Sequence, residues 1–224
     1  VEGKLTLTRN SPTNNYTEFE SAVENVLYSN SSGTATGQRQ FSISVGDANF
    51  LPATGHYYEF VSNAGVTWTA SRAAAAARTY YGLQGYLATL TSQIEADFSG
   101  SQALGVGWLG ASDAITEGST VEGEWRWVTG PEAGTQFWSG AIGGSTTAPF
   151  NFAFWNNNEP NDYPNNSTPQ EENYAHITDV SVTSMPGSWN DLPNVGGGGA
   201  YAPQGYVVEY GGTTSDPVIN ITAT

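Results

Sequence analysis

The chain has 224 residues, enough for one good-sized domain or for one domain and part of another. It carries 21 acidic and 6 basic residues, and the net charge of -15 argues against binding to nucleic acid or to an anionic membrane. There is no cysteine, which excludes disulfides and thiolate zinc sites. No apolar run approaches the roughly 20 residues of a spanning helix, so no membrane insertion is expected.

The rest of the composition indicates a folded extracellular protein. Charged residues make up only 12% of the chain and aromatic residues another 12%, which is unlike a solvated acidic tail. An acidic excess among many Asn, Ser, Thr and Gly residues is typical of proteins that live with divalent cations outside the cell. The chain begins at Val1 without a secretion signal, so we expect it to be part of a larger multidomain chain.

The first 52 residues differ in pattern from the rest of the chain. Alternating apolar and polar residues predict strands at 4–8, 26–29 and 39–45, and residues 16–23 have a short helical spacing. This segment resembles part of a cadherin-like repeat of large bacterial surface proteins. The alternative, of equal weight, is a β-rich extension that belongs to the main domain.

The main domain, at residues 55–211, is predicted to begin with two helices. Thr67 caps a helix that continues through an alanine block and stops at Gly82. Ser92 and Glu95 form a capping box for a second helix that ends near residue 103. Further strands are predicted at 57–61, 85–89, 106–110, 124–128, 174–177, 189–191 and 205–210.

Two segments lack a regular pattern. Residues 130–150 are rich in Gly, Ser and Thr and predict one long loop, of the kind that is usually functional or mobile. Residues 212–224 are predicted to link the main domain to a following domain.

Three separated segments of the main domain are rich in side-chain oxygen. They are residues 156–162 around Glu159-Pro160-Asn161, residues 171–173, and Trp189-Asn190-Asp191. A hard cation such as calcium takes six to eight oxygens from carboxylates, amide carbonyls, backbone carbonyls and water. A fold that brings these segments together would therefore create a calcium site.

The order of these motifs resembles the C-type lectin domain over roughly residues 55–211. The resemblance implies an α+β, C-type lectin-like fold in which two helices flank small antiparallel sheets, with a long calcium-binding loop region. The strongest matching stretches are Gly107-Trp108-Leu109-Gly110, residues 124–130, Glu159-Pro160-Asn161, Trp189-Asn190-Asp191 and residues 205–209.

The absence of cysteine is a departure from the usual family pattern. The family disulfide joins the first helix to the last strand, and the aligned positions here are Ala75 and Val208. We expect this apolar pair to be buried and adjacent, so that packing replaces the covalent closure. Cysteine-free members of the family are familiar among bacterial proteins, which agrees with the resemblance of the N-terminal segment.

In the family, calcium is held by the Glu-Pro-Asn and Trp-Asn-Asp segments, and the sugar is held by the calcium. The resemblance also implies a cis peptide bond before Pro160, and Tyr163 is a further candidate contact to the sugar. The residues that the resemblance implies as ligands of both the calcium and the sugar are Glu159, Asn161, Glu172, Asn190 and Asp191.

A second calcium is suggested by an Asp-x-x-x-Glu spacing after Gly110. The resemblance assigns it to Asp113, Glu117, Asp162 and Asn173, with Asn173 in place of the usual Asp. The alternative is that these are ordinary solvated acids in loops.

The remaining aromatic residues are mostly predicted to be structural. His176 lies in a predicted strand and is expected to be a structural residue, whereas Trp138 is a candidate contact near the site. The tryptophans expected in the core are Trp108, Trp125, Trp127 and Trp155.

The resulting expectation is a calcium-dependent carbohydrate-binding module of an adhesin on the surface of a bacterium. Glu-Pro-Asn implies vicinal equatorial hydroxyls, as in mannose, glucose and N-acetylglucosamine, or the similar hydroxyls of fucose. The alternative is a calcium-stabilised module that binds a protein or ice. No enzyme is expected. Formylglycine-forming enzymes on a related fold depend on cysteines, and this chain has none. Glu171 and Glu172 are adjacent in sequence and have no matched carboxylate elsewhere in the chain with which to form a glycosidase pair.

Overall fold

The computed structural model describes residues 21–27, 46–163 and 171–217. The chain divides into two compact units, Val1–Phe41 and Ser42–Thr224. In the first unit, residues 21–24 form one helical turn, and residues 26 and 27 of the strand predicted at 26–29 are in no strand. Residues 28–29 and the strands predicted at 4–8 and 39–45 lie outside the described residues.

Both predicted helices of the main domain are present, and their first turns are capped as expected. Helix α1 (Trp68–Ala76) begins after Thr67, whose hydroxyl accepts the amide N–H of Ala70 at 3.2 Å. Helix α2 (Gln93–Gln102) begins after Ser92, whose hydroxyl accepts the amide N–H of Glu95.

Helix α1 ends six residues before the predicted stop at Gly82. Thr79 and Tyr80 leave the helix and pair with Gln84 and Leu83 in an antiparallel hairpin. Gly82 has a φ of +84° in the turn of that hairpin, where a residue with a Cβ would be strained. The glycine therefore does occupy a left-handed position, but it marks a β-turn and not a helix end.

The strands of the described region join one mixed sheet, with the order β1-β2-β11-β5-β6-β7-β8 along its main path. The β3–β4 hairpin attaches through β4 to β11, and the β9–β10 hairpin attaches through β9 to β5. The strands are β1 (Asn49–Leu51), β2 (His56–Ser62), β3 (Thr79–Tyr80), β4 (Leu83–Leu87), β5 (Gly107–Ser112), β6 (Glu124–Trp127), β7 (Gln136–Ser139), β8 (Ser145–Thr146), β9 (Tyr174–Ile177), β10 (Trp189–Leu192) and β11 (Gly205–Tyr210).

The segment predicted as one long loop at 130–150 contains two strands. Trp138 in β7 pairs with Trp125 in β6 on one side and with Thr146 in β8 on the other. Backbone pairing between these strands supplies the hydrogen bonds that the loop would otherwise leave to water. Strand β1 likewise pairs with β2, so the main sheet begins within the segment assigned to residues 1–52.

The core consists of two clusters of buried side chains. Trp108, Trp125 and Trp127 are buried as predicted, and Trp155 is partly buried against the same core. Ala75 of α1 and Val208 of β11 are both fully buried in one cluster, which agrees with closure by packing. The α+β class predicted from the sequence is therefore confirmed. In the described residues, no helix is long and apolar enough to cross a membrane.

Candidate functional site

Strand β10 carries the Trp-Asn-Asp motif, and the chain segment before Glu159 runs beside it in a parallel direction. The amide N–H of Trp189 donates to the carbonyl of Phe154 at 2.7 Å, and that of Asn156 donates to the carbonyl of Trp189 at 2.8 Å. These two bonds bring the predicted segments 156–162 and 189–191 together.

Asp191 fixes the loop that contains Pro160. Its Oδ1 accepts the amide N–H of Asn161 at 3.0 Å, and its Oδ2 accepts that of Asp162 at 2.8 Å. The residue is buried, with a relative exposure of 1%. One carboxylate from β10 therefore holds two consecutive amides of the Glu-Pro-Asn loop.

The loop backbone has an irregular course. The Glu159–Pro160 peptide bond is cis, and Asn158 and Asp162 have φ values of +64° and +48°. Few residues other than glycine adopt this left-handed region, although Asn and Asp enter it more readily than most. Because left-handed residues of this kind cluster at functional sites, this loop is a candidate for one.

Glu172 ties the third segment to the same loop. Its amide N–H donates to Oδ1 of Asp162 at 3.2 Å, and its Oε2 accepts the amide N–H of Tyr163 at 2.9 Å. These reciprocal bonds position the Glu172 carboxylate beside the loop. Residues 164–170 between them lie outside the described part of the chain.

The three segments enclose one cleft of about 270 Å³. All five residues predicted for the primary calcium lie in its lining, as does Tyr163. Trp138 is not in this lining and packs against the core. The lining also includes four residues that the sequence did not predict: Leu192, Gly197, Gly198 and Tyr201.

Crowded carboxyl groups dominate the electrostatics of the cleft. Burial, together with contact with the Asp191 carboxyl group, raises the pKa of Glu159 to about 9. Burial and the charge of Asp191 raise the pKa of Glu172 to about 7, and burial also raises the pKa of Asp191. These shifts reflect the cost of placing charges together away from water, and a bound cation would relieve that cost.

The donor atoms of the cleft suit a hard cation. Oδ1 of Asn161 is buried and lacks a hydrogen-bond partner, while its Nδ2 donates to Oε2 of Glu159 at 2.5 Å. Such an orphaned amide oxygen beside carboxylates fits the mixed ligand set of calcium. In the described ranges, no three Asp, Glu, His or Cys side chains form a preassembled cluster, so the set depends on the amides as well.

The acids predicted for a second cation have different partners in the structure. Glu117 forms an ion pair with Arg72 at 2.5 Å. Asp113 is buried, its Oδ2 accepts the amide N–H of Gly123 at 3.0 Å, and its Oδ1 has no donor. Burial and a side-chain contact with Glu122 raise the pKa of Asp113 to about 9. Glu122, which was not predicted, therefore contacts Asp113, whereas Glu117 pairs with Arg72.

Asn173 and Asp162 have different surroundings. The carbonyl of Asn173 accepts the amide N–H of Asp113 at 3.3 Å, and its side-chain Oδ1 is buried without a partner. Asp162 is bound to Glu172 in the primary loop instead.

His176 is buried in β9, as expected of a structural residue, but neither of its ring nitrogens has a hydrogen-bond partner among the described residues. Burial lowers its pKa to about 3, so the imidazole is neutral at physiological pH. The ring makes edge contacts with Trp108 at 6.3 Å and with Tyr201 at 6.4 Å between centroids.

Comparison with known proteins identifies a related sequence. No protein-family profile matches the chain. Halomucin from Haloquadratum walsbyi (strain DSM 16790 / HBSQ001) is 38% identical over 208 residues, which is 90% of this chain. The chain spans only 2% of the length of that relative.

Several solved structures are similar to this chain, and two of those named here are C-type lectins. C-type lectin CEL-I from Cucumaria echinata has a TM-score of 0.49 at 18% identity, covering 76% of this chain and 99% of its own. The human scavenger receptor C-type lectin carbohydrate-recognition domain has a TM-score of 0.48 at 16% identity, covering 75% of this chain and 98% of its own. A calcium-independent type II antifreeze protein has a TM-score of 0.47 at 17% identity, covering 77% of this chain and 97% of its own.

The topology of the chain itself matches the predicted C-type lectin-like fold. Strand β2 at the start of the domain pairs with β11 at its end, and β4 pairs with the same strand. The two helices, and the loop region next to β10 that carries Glu-Pro-Asn, agree with the predicted arrangement, whereas the small antiparallel sheets that were predicted are joined in one mixed sheet.

Proposed function

We propose that the chain is a calcium-dependent carbohydrate-binding module. The observation that carries the proposal is that five oxygen-bearing side chains from three separate segments line one cleft. They are Glu159, Asn161, Glu172, Asn190 and Asp191.

The chemistry of these side chains suits one calcium ion. The carboxylates of Glu159, Glu172 and Asp191 carry three negative charges against two positive charges on calcium, which offsets their mutual repulsion. The amide oxygens of Asn161 and Asn190 complete a mixed oxygen set. Calcium would supply Lewis acidity and open coordination positions in the cleft.

The same residues can recognise two vicinal sugar hydroxyls. Carboxylates only accept hydrogen bonds, so Glu159 and Glu172 accept hydrogen bonds from the sugar hydroxyls. Amide groups can donate, so Asn161 and Asn190 reach the hydroxyl oxygens. The sugars proposed are mannose, glucose, N-acetylglucosamine and fucose.

A second cation is proposed in addition to the first, held by Asp113, Glu122 and the side-chain oxygen of Asn173. Support comes from two buried oxygens without partners, Asp113 Oδ1 and Asn173 Oδ1. Glu117 is not part of this set because Arg72 already neutralises it.

The biological setting is also a proposal. An acidic, cysteine-free chain that matches a small part of a much longer relative suits a binding module of a larger extracellular adhesin on a cell surface. Its partner in that setting is a glycan of another surface or polymer.

A glycan array with and without a chelator tests the proposal. Binding to mannose-, glucose- or fucose-type glycans should require calcium and should be lost in the variant Glu159→Gln/Asn161→Asp. Glu171→Gln is the matched control, because this acid neighbours Glu172 and does not line the cleft. Calcium binding without any glycan signal would reject the carbohydrate proposal and favour a protein- or ice-binding module.

A further inference from the structure

The cleft has a second wall whose chemistry differs from that of the acidic one. It is formed by Leu192, Gly197, Gly198 and Tyr201, and it comprises the end of strand β10 and the segment after it. Tyr201 ends a short 3-10 turn, Gly199–Tyr201, and keeps 38% of its surface exposed. This surface combines an aromatic ring with glycine backbone and carries no charge.

The position of Tyr201 is set by its surroundings. Its amide N–H donates to the carbonyl of Gly198 at 3.2 Å, and its ring contacts the edge of the buried His176. A Cβ at Gly197 would lie 2.8 Å from the Cβ of Tyr201, so only glycine there lets the tyrosine approach this closely. The ring is therefore held in place on one side and open on the other.

We infer that Tyr201 is a specificity-determining contact that packs against one face of a single sugar ring. The inference rests on the proposed function. A pyranose has hydroxyls along its edge and C–H groups on its faces, so it can meet the acidic wall with the edge and the tyrosine with a face. Clefts lined by aromatic groups with a few placed polar groups bind small molecules in this way.

The volume of the cleft suits a ligand of one sugar ring. Its volume of about 270 Å³ lies just below the roughly 300–1,000 Å³ typical of clefts for drug-sized molecules. Tyr201 therefore contacts the same sugar unit that the cation would hold. Further units of a glycan would lie outside the cleft.

The test measures methyl glycosides of mannose, glucose, N-acetylglucosamine and fucose by calorimetry at saturating calcium, with calcium affinity measured separately. Tyr201→Ala should weaken binding of the accepted sugars roughly three- to tenfold, whereas Tyr201→Phe should keep it within about twofold, because the ring supplies the contact. Tyr81→Ala, an exposed tyrosine outside the cleft, should leave both affinities unchanged.

A second variant places a large side chain on the wall of the cleft without a clash at the tyrosine. A Cβ at Gly198 meets nothing within 4 Å, and the φ of -102° at this position suits any residue. Gly198→Leu should therefore fold, keep its calcium affinity and lose sugar binding.

Three outcomes would overturn the inference, and they are distinguishable from one another. If the sugar affinity is unchanged in both Tyr201→Ala and Gly198→Leu, the contact between Tyr201 and the sugar is rejected and the proposed function stands. Loss of calcium affinity in Tyr201→Ala assigns the residue a purely structural role. A wild-type protein that binds calcium and none of the four glycosides rejects the wall and the proposed function together.

Discussion

The carboxylate of Asp191 accepts the backbone amide of Asn161 at 3.0 Å, and this bond connects strand β10 with the loop that carries Glu-Pro-Asn. A second bond from Asp162 at 2.8 Å reinforces the connection. Asp191 therefore holds the loop in place before any ligand binds.

Asp191→Asn should loosen this loop, because the amide side chain retains only one acceptor for two donors. In chelator-treated protein, hydrogen-exchange protection of the Asn161 and Asp162 amides should fall about tenfold, the effect of losing roughly 1.4 kcal/mol. Asp179→Asn is the control, because Asp179 accepts the amide of Ser181 in an exposed loop. Equal protection in wild type and Asp191→Asn would contradict the assigned role.

Glu122→Gln and Glu117→Gln should differ in their effect on the second cation. We expect Glu122→Gln to lower the affinity of the weaker calcium about tenfold or more, because one of the two carboxylates facing it loses its charge. Glu117→Gln removes only the ion pair with Arg72 and should leave both calcium affinities unchanged. Calorimetric titration distinguishes them, and the reverse result would restore Glu117 to the site.

The charge of the cleft should select against acidic sugars. Three carboxylates and one calcium leave a net negative charge, and the whole chain carries -15. The methyl glucuronide should therefore bind several-fold more weakly than the methyl glucoside at low salt, and the difference should shrink as salt screens it. Equal affinity of the two glycosides at low salt would show that the sugar carboxylate lies away from the acidic wall.

The pair formed by His56 and Glu209 should make stability depend on pH. Nδ1 of His56 lies 2.6 Å from Oε1 of the buried Glu209, and this hydrogen bond raises the pKa of His56. Because the folded state binds the proton more tightly, the stabilisation is fully present below the unfolded pKa of about 6.5 and is lost as pH rises through the folded value.

His56→Gln should therefore cost about 1–2 kcal/mol of unfolding free energy near pH 6 and less near pH 9. Urea denaturation of both proteins at the two pH values measures this gap. If the difference in unfolding free energy between the two proteins is the same at both pH values, the charge of the imidazole does not contribute.

Gly100→Ala should destabilise the protein, although alanine is the better helix former. A Cβ at Gly100 in helix α2 would lie 2.5 Å from the Cα of Gly187, just before strand β10. Helix propensity alone predicts a gain of about 1 kcal/mol, so a net loss of about 1–3 kcal/mol would isolate the steric effect. Thermal or urea denaturation measures it, and Ser101→Ala, on the exposed face of the same helix, should be neutral or slightly stabilising.

Much of the fold was predictable because its signals are local. Thr67 and Ser92 cap helices whose first turns need an acceptor, and the short aromatic and apolar runs around Trp108 and Trp125 predicted strands. The strands β7 and β8 were missed because their short sequences, in a Gly- and Ser-rich segment, become strands only by pairing with β6 and with each other.

Some residues of the candidate site were likewise predictable from local sequence, and others were not. Glu159, Asn161, Asn190 and Asp191 stand in short motifs whose residue types already indicate cation chemistry. Glu122 was overlooked because the Asp-x-x-x-Glu spacing selected Glu117, and the ion pair of Glu117 with Arg72 is visible only in the tertiary structure.

The sequence by itself determined the oxygen-rich segments, the capped helices and the excess of negative charge, because each depends on neighbouring residues or on composition. Only the tertiary structure decided that Asp191 holds the Glu-Pro-Asn loop and that Tyr201 lines the same cleft beside a glycine backbone. These relationships join residues that are distant along the chain, and the pairing of strands and close packing at Gly197 create them. Local patterns carry no information about such distances.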